Sequence, residues 1–246
     1  MMSEDEFVTI LGKLHDKVKF IYYHLMGEPL LHPELFSFIE MATERGFKSA
    51  ITTNGTLLEK HGDKLIKSGV HKVSISVHSF EEGSAEDFKR YMQSIADFAE
   101  KASNEGIIVV LRLWNKGCDN GLNNNVLDFL RANITGEWIE NTRGIRIHHK
   151  LHLEWGERFE WPDIDVDEIG ENVYCYGMKD QFGILCDGTV VPCCLDSDGV
   201  VNLGNVFEND LDEILNSHRA IAIREGFKKR FASEELCKKC GYARRF

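Results

Sequence analysis

The apolar positions of residues 20–149 follow two patterns in turn, one typical of strands and one typical of helices. Short runs rich in β-branched and aromatic residues predict strands at 20–25, 47–53, 72–77, 107–113 and 145–149. Between them, apolar residues recur at helical spacing, and one such segment begins at Pro33 and ends at Gly46. Strands separated by helices predict right-handed βαβ units and therefore a parallel sheet of the β/α-barrel or doubly wound kind.

Several helix starts carry their own signals in the sequence. Residues 56–59 (Thr-Leu-Leu-Glu) predict a capping box, in which side chains at both ends of the first turn bond to main-chain N–H groups. Residues 84–87 (Ser-Ala-Glu-Asp) open a longer helix that Gly106 ends. Further helical patterns occur at 3–16, 125–131 and 209–213.

The predicted strands are followed by polar, non-helical segments. Met-Gly-Glu-Pro follows the first strand at 26–29, and Thr-Asn-Gly-Thr follows the second at 53–56. His78 and Ser79 follow the third strand. In both barrel and doubly wound folds the chemistry lies at the carboxyl ends of the strands. These segments are therefore candidates for a binding site.

The pattern changes in the C-terminal third. Residues 150–170 predict a long loop, and residues 183–192 predict a β-hairpin around an Asp187-Gly188 turn. We place a boundary near residue 165, which predicts one domain at 1–164 and a second at 165–246.

The charge and the apolar content limit the class of protein. The 246 residues are 43% hydrophobic, which is enough for a substantial core, and the net charge of −11 argues against nucleic acid or an anionic membrane as a partner. The acidic start does not resemble a signal peptide, and no apolar run reaches the ~18 residues of a membrane span. We therefore expect a cytoplasmic protein.

The basic residues concentrate near the C-terminus. Residues 217–246 hold nine Lys and Arg against three Glu, an excess of +6. This excess fits either a solvated helical face or compensation of a nearby anionic centre.

Cysteine is distributed still more unevenly. Six of the seven cysteines lie in the last 72 residues. Cys237 and Cys240 form a C-x₂-C pair, and with Cys175 and Cys193 they make a set of four thiolates. In a reducing compartment, such a set is typical of Zn²⁺ or an iron–sulfur cluster rather than of disulfides. On ligand type alone, both metals stay open.

The cysteine spacing also resembles that of a known domain. Cys175-x₁₂-Gly188-x₄-Cys193, followed by Cys237-x₂-Cys240, resembles the auxiliary-cluster domain of radical S-adenosylmethionine (SAM) enzymes, called SPASM or, in a shorter form, twitch. The resemblance implies the twitch form, with one [4Fe–4S] cluster on Cys175, Cys193, Cys237 and Cys240. Cys186 and Cys194 are then interpreted as packing residues, and Cys118 as a free thiol.

The N-terminal half resembles the same superfamily. Residues 24–33 (His-Leu-Met-Gly-Glu-Pro-Leu-Leu-His-Pro) are similar to its Gly-Glu-Pro strand end, and 52–56 and 74–77 to its next two motifs. The resemblance implies that the main chain of Gly27, Glu28 and Pro29 binds the SAM amine, and that Asn54, Ser76 and Arg112 support its carboxylate and ribose. It also implies an incomplete (β/α)₆ partial TIM barrel without its first strand, followed by a small α+β domain.

One family motif is missing from these residues. Radical SAM enzymes bind their catalytic cluster with C-x₃-C-x₂-C, but no cysteine precedes Cys118. Truncation is the favoured explanation; a non-catalytic remnant and a second polypeptide that completes the site are the alternatives. The chain as given is therefore expected not to cleave SAM, and the strand at 20–25 is expected to be an exposed edge with Ile21, Tyr22 and Tyr23.

The resemblance implies an enzyme that, when intact, converts SAM to a 5′-deoxyadenosyl radical and oxidises or modifies a peptide or small molecule. A flavodoxin or ferredoxin would be its reductant. The alternatives are a non-catalytic electron-transfer module and a zinc-stabilised structural domain. Several histidines are candidates for the mouth of the barrel, although a strand or loop histidine is more often structural: His24, His78, His148, His149 and His152.

Overall fold

The computed structural model describes residues 1–80, 83–118 and 121–245, with Arg244 described by its main chain alone. The chain forms two compact units. One contains residues 18–158, and the other combines residues 1–17 with 159–246. The domains expected at 1–164 and 165–246 remain a prediction. No helix in the described part of the chain is long and apolar enough to cross a membrane.

Unit 18–158 contains a parallel-dominated sheet. Its strands in chain order are β1 (Phe20–Tyr23), β2 (Lys48–Thr53), β3 (Lys72–Ser76), β4 (Ile108–Lys116), β5 (Ile139–Asn141), β6 (Gly144–His148) and β7 (Leu151–Glu157). In the described residues the strand order is β1-β2-β3-β4-β7-β6-β5. Strands β1 to β4 and β7 run parallel, and β6 and β5 continue the sheet antiparallel. The expected α/β class is therefore confirmed.

Four helices of this unit cover one face of the sheet: α2 (Leu35–Glu44), α3 (Leu58–Lys67), α4 (Ala85–Asn104) and α5 (Leu122–Asn133). Helix α1 (Glu4–Leu14) precedes the unit in the chain and belongs to the other one. Side chains alternate between the two faces of a strand. Val73 and Ile75 of β3 and Leu111 of β4 belong to the apolar core shared with α2 to α5. The alternate positions on these strands lie on the opposite face, which we call the open face of the sheet.

Strand β1 lies at the edge of the described sheet, as expected. Phe20 and Tyr22 are exposed there. Tyr23 points to the helix side instead, because its hydroxyl lies 3.2 Å from the carbonyl oxygen of Phe38 and 3.3 Å from Ser49 Oγ.

Two predictions about the end of the sheet are wrong. The segment at 145–149 was expected as a further parallel strand, but it forms β6, which is antiparallel to β7. The first part of the expected loop at 150–170 is β7, which pairs parallel to β4. Leu151 and Leu153 face the core, whereas His152 and Glu154 alternate with them. Because every second residue of this strand is polar, its amino-acid composition resembles that of a loop.

The predictions for two helix starts had opposite outcomes. The helix start at 84–87 is confirmed, and the structure adds a capping box there, because Ser84 Oγ accepts from Asp87 N at 3.1 Å and the Asp87 carboxylate accepts from Ser84 N. At α3 the predicted capping box is wrong, because Leu57 precedes the helix without a side-chain cap. The Thr56 hydroxyl instead donates to Asn54 Oδ1 at 2.7 Å. It therefore stabilises a local turn and does not form the helix cap that the sequence predicts.

The other unit contains α1, the hairpin β8 (Gly183–Ile184) and β9 (Val190–Val191), and the helices α6 (Leu211–Leu215), α7 (His218–Lys228) and α8 (Glu235–Lys238). Gly188 in the hairpin turn has φ +86°, and a Cβ there would lie 2.4 Å from the ring of Phe207. Lys13 of α1 donates to the carbonyl oxygens of Val206 and Asn209, at 2.5 and 2.7 Å. Helix α1 is therefore anchored to a segment that lies far away in the sequence.

Candidate cofactor and cluster sites

The turn after β1 is fixed by the carboxylate of Glu28. It accepts from Thr53 Oγ1 at 2.7 Å, from Asn54 N at 2.8 Å and from Leu30 N at 3.1 Å. Gly27 has φ +82°, and no atom within 4 Å would meet a Cβ at this position. Glu28 therefore holds the ends of β1 and β2 together, and the turn offers a ligand its main chain rather than this carboxylate.

Asn54 fixes the conformation of the loop that follows β2. Its Oδ1 accepts from Thr56 N and Oγ1 at 2.9 and 2.7 Å, and its carbonyl oxygen accepts from the Tyr91 hydroxyl at 2.7 Å. Burial raises the pKa of Tyr91 above its usual range. Tyr91 therefore acts as a neutral hydrogen-bond donor from α4 to the loop after β2.

Ser76 and Arg112 are direct partners across β3 and β4. Arg112 Nη1 lies 3.4 Å from Thr52 Oγ1 on β2, so its side chain crosses β3 on the open face. The guanidinium carbon is 4.6 Å from the ring centre of Trp114. The structure therefore places Glu28 and Asn54 after the ends of β1 and β2, joined by a hydrogen bond, and Ser76 at the last position of β3. Arg112 lies in the middle of β4, level with Ser76 in the strand register.

His24 and His78 lie near the same edge in different environments. Burial, and then the charge of Arg112, lower the pKa of His24 to about 4. Its Nδ1 is buried and has no hydrogen-bond partner in the described structure. His78 Nδ1 lies 3.0 Å from the carbonyl oxygen of Arg112, which fits the structural role expected for it. The rings of His24 and Tyr22 meet edge to face with their centres 5.5 Å apart, and no local sequence signal marks His24 as buried.

The second candidate site contains Cys175, Cys193, Cys237 and Cys240. All four are half-buried free thiols. Burial is the main cause that raises the pKa of Cys193 to about 12, and repulsion from the Cys175 and Cys240 thiolates adds to it. Burial is also the main cause that raises the pKa of Cys237, and repulsion from the thiolates of Cys193, Cys175 and Cys240 adds to it. The hairpin and α8 therefore bring these thiols within electrostatic reach of one another.

The spacing of the thiols bears on which metal they fit. Among the described residues, no three His, Cys, Asp or Glu side chains converge closely enough to hold one metal ion. A single Zn²⁺ needs all its sulfur ligands about 2.3 Å from one point, whereas a [4Fe–4S] cluster binds each thiolate at a different iron. Gly177 N donates to Cys175 Sγ at 3.4 Å, a hydrogen bond typical of cluster ligands. This hydrogen bond fits Cys175 as a thiolate ligand.

The remaining cysteines differ in exposure. Cys118 and Cys186 are exposed, and Cys194 is half-buried. The interpretation of Cys186 as a packing residue is therefore wrong, because it directly precedes the Asp187-Gly188 turn and faces solvent.

The basic residues near the C-terminus have partners of two kinds. Lys228 and Lys238 form ion pairs with Glu225 and Glu235, as expected of a solvated helical face. Arg219 pairs with Glu234 and also lies within electrostatic reach of Cys237. Arg219 therefore brings a cation near one of the candidate cluster ligands.

Comparisons with known proteins agree with this arrangement. The family model described as the radical SAM superfamily matches residues 1–117, and the SPASM model, described as an iron–sulfur cluster-binding domain, matches residues 175–241. A GTP 3′,8-cyclase of Aliarcobacter butzleri (strain RM4018) is 32% identical and covers 94% of this chain and 82% of its own length. A probable GTP 3′,8-cyclase of Methanococcus maripaludis (strain C6 / ATCC BAA-1332) is 37% identical and covers 93% and 87%.

Solved structures share the fold at lower identity. BtrN in complex with AdoMet and 2-DOIA has a TM-score of 0.59 at 20% identity, over 97% of this chain and 80% of that one. Streptococcus suis SuiB has a TM-score of 0.60 at 15% identity, over 98% and 66%. The chain belongs to the radical SAM superfamily, whose members use SAM, and it carries a SPASM domain, which binds iron–sulfur clusters.

Proposed function

We propose that this chain is a radical SAM/SPASM protein whose intact form cleaves SAM to a 5′-deoxyadenosyl radical and oxidises or modifies a small molecule or peptide. The observation that supports it most is that Gly27–Pro29, Asn54 and Ser76 lie at the ends of neighbouring strands of one sheet, with Arg112 of β4 level with Ser76. The partial barrel without its first strand is part of the same proposal.

The residues at this edge have separable roles in the proposal. Glu28 fixes the turn, so that the main chain of residues 27–29 is presented in one conformation to the SAM amine. Arg112 supplies a planar fork of N–H donors that matches a carboxylate, and Ser76 adds a hydroxyl one strand away. Tyr91 keeps the loop at Asn54 in place.

Cys175, Cys193, Cys237 and Cys240 would hold the auxiliary cluster. When bound, such a cluster supplies or accepts single electrons. The four thiols lie within electrostatic reach of one another, and residues 175–241 match a model described as an iron–sulfur cluster-binding domain, which favours this proposal over a zinc-stabilised domain. A non-catalytic electron-transfer module would use the same four cysteines but would have no need of the SAM-binding edge.

The substrate class takes support from the relatives. One of them is named a GTP 3′,8-cyclase and another a probable GTP 3′,8-cyclase, BtrN was solved with AdoMet and 2-DOIA, and SuiB was solved with the precursor peptide SuiA. A small-molecule or peptide substrate is therefore proposed, and a flavodoxin or ferredoxin reductant and a cytoplasmic location remain predictions.

The first test is the metal content of the anaerobically purified protein. About four irons per chain, with the absorption of a [4Fe–4S] cluster, are expected. Cys193→Ser should remove most of this iron, whereas the matched control Cys118→Ser should keep it, because Cys118 is exposed and lies outside the set. One zinc per chain, or equal iron in both variants, would contradict the assignment.

The second test concerns catalysis by these 246 residues. They contain no C-x₃-C-x₂-C motif, so the protein is expected to bind SAM without releasing 5′-deoxyadenosine under reducing conditions. Arg112→Met should weaken SAM binding about tenfold in calorimetry, and the exposed control Arg45→Met should not. Release of 5′-deoxyadenosine by this chain alone would disprove the expected inactivity.

A further inference from the structure

The indole of Trp114 lies beside the Arg112 guanidinium on the open face of the sheet. Leu111 and Leu113 of β4 face the apolar core, so the alternate residues Arg112 and Trp114 both project from the open face. The guanidinium carbon lies 4.6 Å from the indole ring centre, which is within the range of a cation–π contact. Both side chains are half-buried, and partial removal from water strengthens such a contact.

Gly156 of β7 provides the space that the indole occupies. Leu113 pairs with Trp155 in the strand register, so Trp114 and Gly156 are the next residues on two neighbouring strands. A Cβ at Gly156 would lie 2.6 Å from Cδ1 and 2.8 Å from Cγ of Trp114, well inside the contact distance of two carbon atoms. Gly156 does not have a positive φ, so the missing side chain matters here and the backbone conformation does not.

Arg112 is also held at its tip and at its main chain. Its Nη1 lies 3.4 Å from Thr52 Oγ1 on β2, and its carbonyl oxygen lies 3.0 Å from His78 Nδ1. The first contact draws the side chain across β3, and the second fixes the main chain from which it projects. The indole adds a broad surface on one side of the guanidinium, which limits the directions in which the N–H groups can point.

Such restriction matters for a residue that binds a carboxylate. A guanidinium binds a carboxylate most strongly when two of its N–H groups point at the two oxygens in one plane. A long, flexible side chain that orders only on binding loses rotamer freedom at that moment, and this loss weakens affinity. A guanidinium that is already oriented in the ligand-free protein avoids most of this cost.

We propose that Trp114, seated against Gly156, is a positioning residue that orients Arg112 toward the carboxylate of SAM. This inference rests on the proposed function, in which Arg112 is the residue that binds this carboxylate. The segments that resemble SAM-binding motifs include neither Trp114 nor Gly156. In this role Trp114 acts through the guanidinium and needs no contact with the cofactor.

Calorimetric titration with SAM tests the indole directly. Trp114→Leu removes the aromatic face and should weaken SAM binding about fivefold, because Arg112 must then order on binding. Trp114→Phe keeps an aromatic face and should bind SAM within about twofold of the wild type. The matched control Trp161→Leu removes an exposed indole from the other unit and should bind like the wild type.

Gly156→Ala tests the same contact from the neighbouring strand. The added methyl group displaces the indole, so SAM binding should weaken about as much as in Trp114→Leu. Gly12→Ala is the matched control, because no atom lies within 4 Å of a Cβ at this position of α1. The near-UV circular dichroism of the ligand-free protein should change in Gly156→Ala and in Arg112→Met, since both alter the surroundings of the indole. Unchanged spectra in both variants would overturn the stacked arrangement.

Two further titrations separate positioning from a general structural role. Trp114→Leu combined with Arg112→Met should bind SAM no more weakly than Arg112→Met alone, because both changes act on one interaction. Decarboxylated SAM lacks the group that Arg112 is proposed to bind, so wild type and Trp114→Leu should bind it equally. Additive losses in the double variant, or an equal loss for SAM and decarboxylated SAM, would overturn the proposal.

The outcomes also distinguish this proposal from the proposed function. If the wild type binds SAM and Trp114→Leu binds it equally well, only the role of Trp114 is wrong. If the wild type does not bind SAM, the proposed function fails, and the orientation of Arg112 toward SAM fails with it. Thermal unfolding checks that each variant folds, and Gly156→Ala tests the contact even if Trp114→Leu loses its structure.

Discussion

At the residue scale, the side chain of Glu28 has a role that its motif leaves unspecified. The Gly-Glu-Pro segment resembles a cofactor-binding turn, and the resemblance assigns only the main chain of these three residues to the ligand. The carboxylate receives three hydrogen bonds from the protein itself, two of them from the end of β2. Glu28 is thus a positioning residue, and its contribution to a ligand site passes through the shape of the turn.

His24 should make the stability of the protein depend on pH. Its pKa of about 4 in the folded protein lies below the roughly 6.5 of an unfolded chain. Between these pH values the unfolded chain takes up a proton that folded His24 does not. The contribution of His24 to the free energy of unfolding is therefore fully present above pH 6.5 and is lost as the pH falls toward 4. At pH 4.5 the loss is roughly 2 kcal/mol.

Urea unfolding at pH 7 and pH 4.5 measures this effect. His24→Gln should lose less stability on acidification than the wild type, by roughly 2 kcal/mol. His149→Gln, in the exposed turn between β6 and β7, should follow the wild type. The same acid loss in wild type and His24→Gln would show that His24 does not titrate as described.

The residues of the candidate sites differ in how far a sequence can predict them. Gly27, Asn54 and the C-x₂-C pair are recognisable because their geometry is set by neighbours a few residues away. Trp114 and Gly156 are not, because their contact follows from the strand register between β4 and β7. Burial of His24 Nδ1 likewise depends on packing that no local pattern reveals.

At the scale of elements, α4 shows how one residue type has opposite effects along a helix. Ser84 caps the helix through two reciprocal hydrogen bonds to Asp87. Ten residues later, Ser94 Oγ is buried and has no hydrogen-bond partner in the described structure. The serine hydroxyl at position 84 thus accepts a hydrogen bond from the main chain, whereas the hydroxyl at position 94 makes no hydrogen bond.

Replacement of each serine by alanine should change stability in opposite directions. Ser84→Ala removes the cap and should lower the free energy of unfolding by about 1 kcal/mol. Ser94→Ala removes a buried unsatisfied hydroxyl and should raise it by about 1 kcal/mol. Urea denaturation measures the free energy of unfolding of both variants, and each variant is the control for the other. A lower free energy of unfolding in both would contradict the unsatisfied burial of the Ser94 hydroxyl.

The elements also show where sequence patterns fail. Helix α4 was predictable because its apolar stripe and its cap agree along twenty residues. Strand β7 was not, because its polar alternate residues and its two-residue connection to β6 resemble a loop. The prediction that 145–149 runs parallel failed for the same reason, since it assumed that no further strand followed.

At the scale of the whole molecule, the N-terminal helix belongs to the unit formed by the C-terminal third. Lys13 holds it through the carbonyl oxygens of Val206 and Asn209, and Lys17 pairs with Asp212 at 2.5 Å. The helical pattern at 3–16 was predictable from the sequence, but these partners were not, because they follow almost two hundred residues later.

Removal of the Lys13 contacts should loosen α1 locally. Lys13→Met is expected to speed amide hydrogen exchange in Glu4–Leu14 about tenfold, because two charge-assisted hydrogen bonds are lost. Lys60→Met, on the exposed surface of α3, should leave this exchange unchanged. Unchanged exchange in Lys13→Met would show that apolar packing alone anchors the helix.

The same anchoring has a consequence for protein synthesis. The partners of Lys13 lie up to 196 residues downstream, so at about 5–20 residues per second the ribosome delivers them roughly 10 to 40 seconds after the helix. During this interval Phe7, Ile10, Leu11 and Leu14 have no docking surface, while residues 18–158 emerge and fold. The nascent chain thus carries an undocked apolar helix ahead of residues 18–158, and this helix reaches its native place only after that unit has been made.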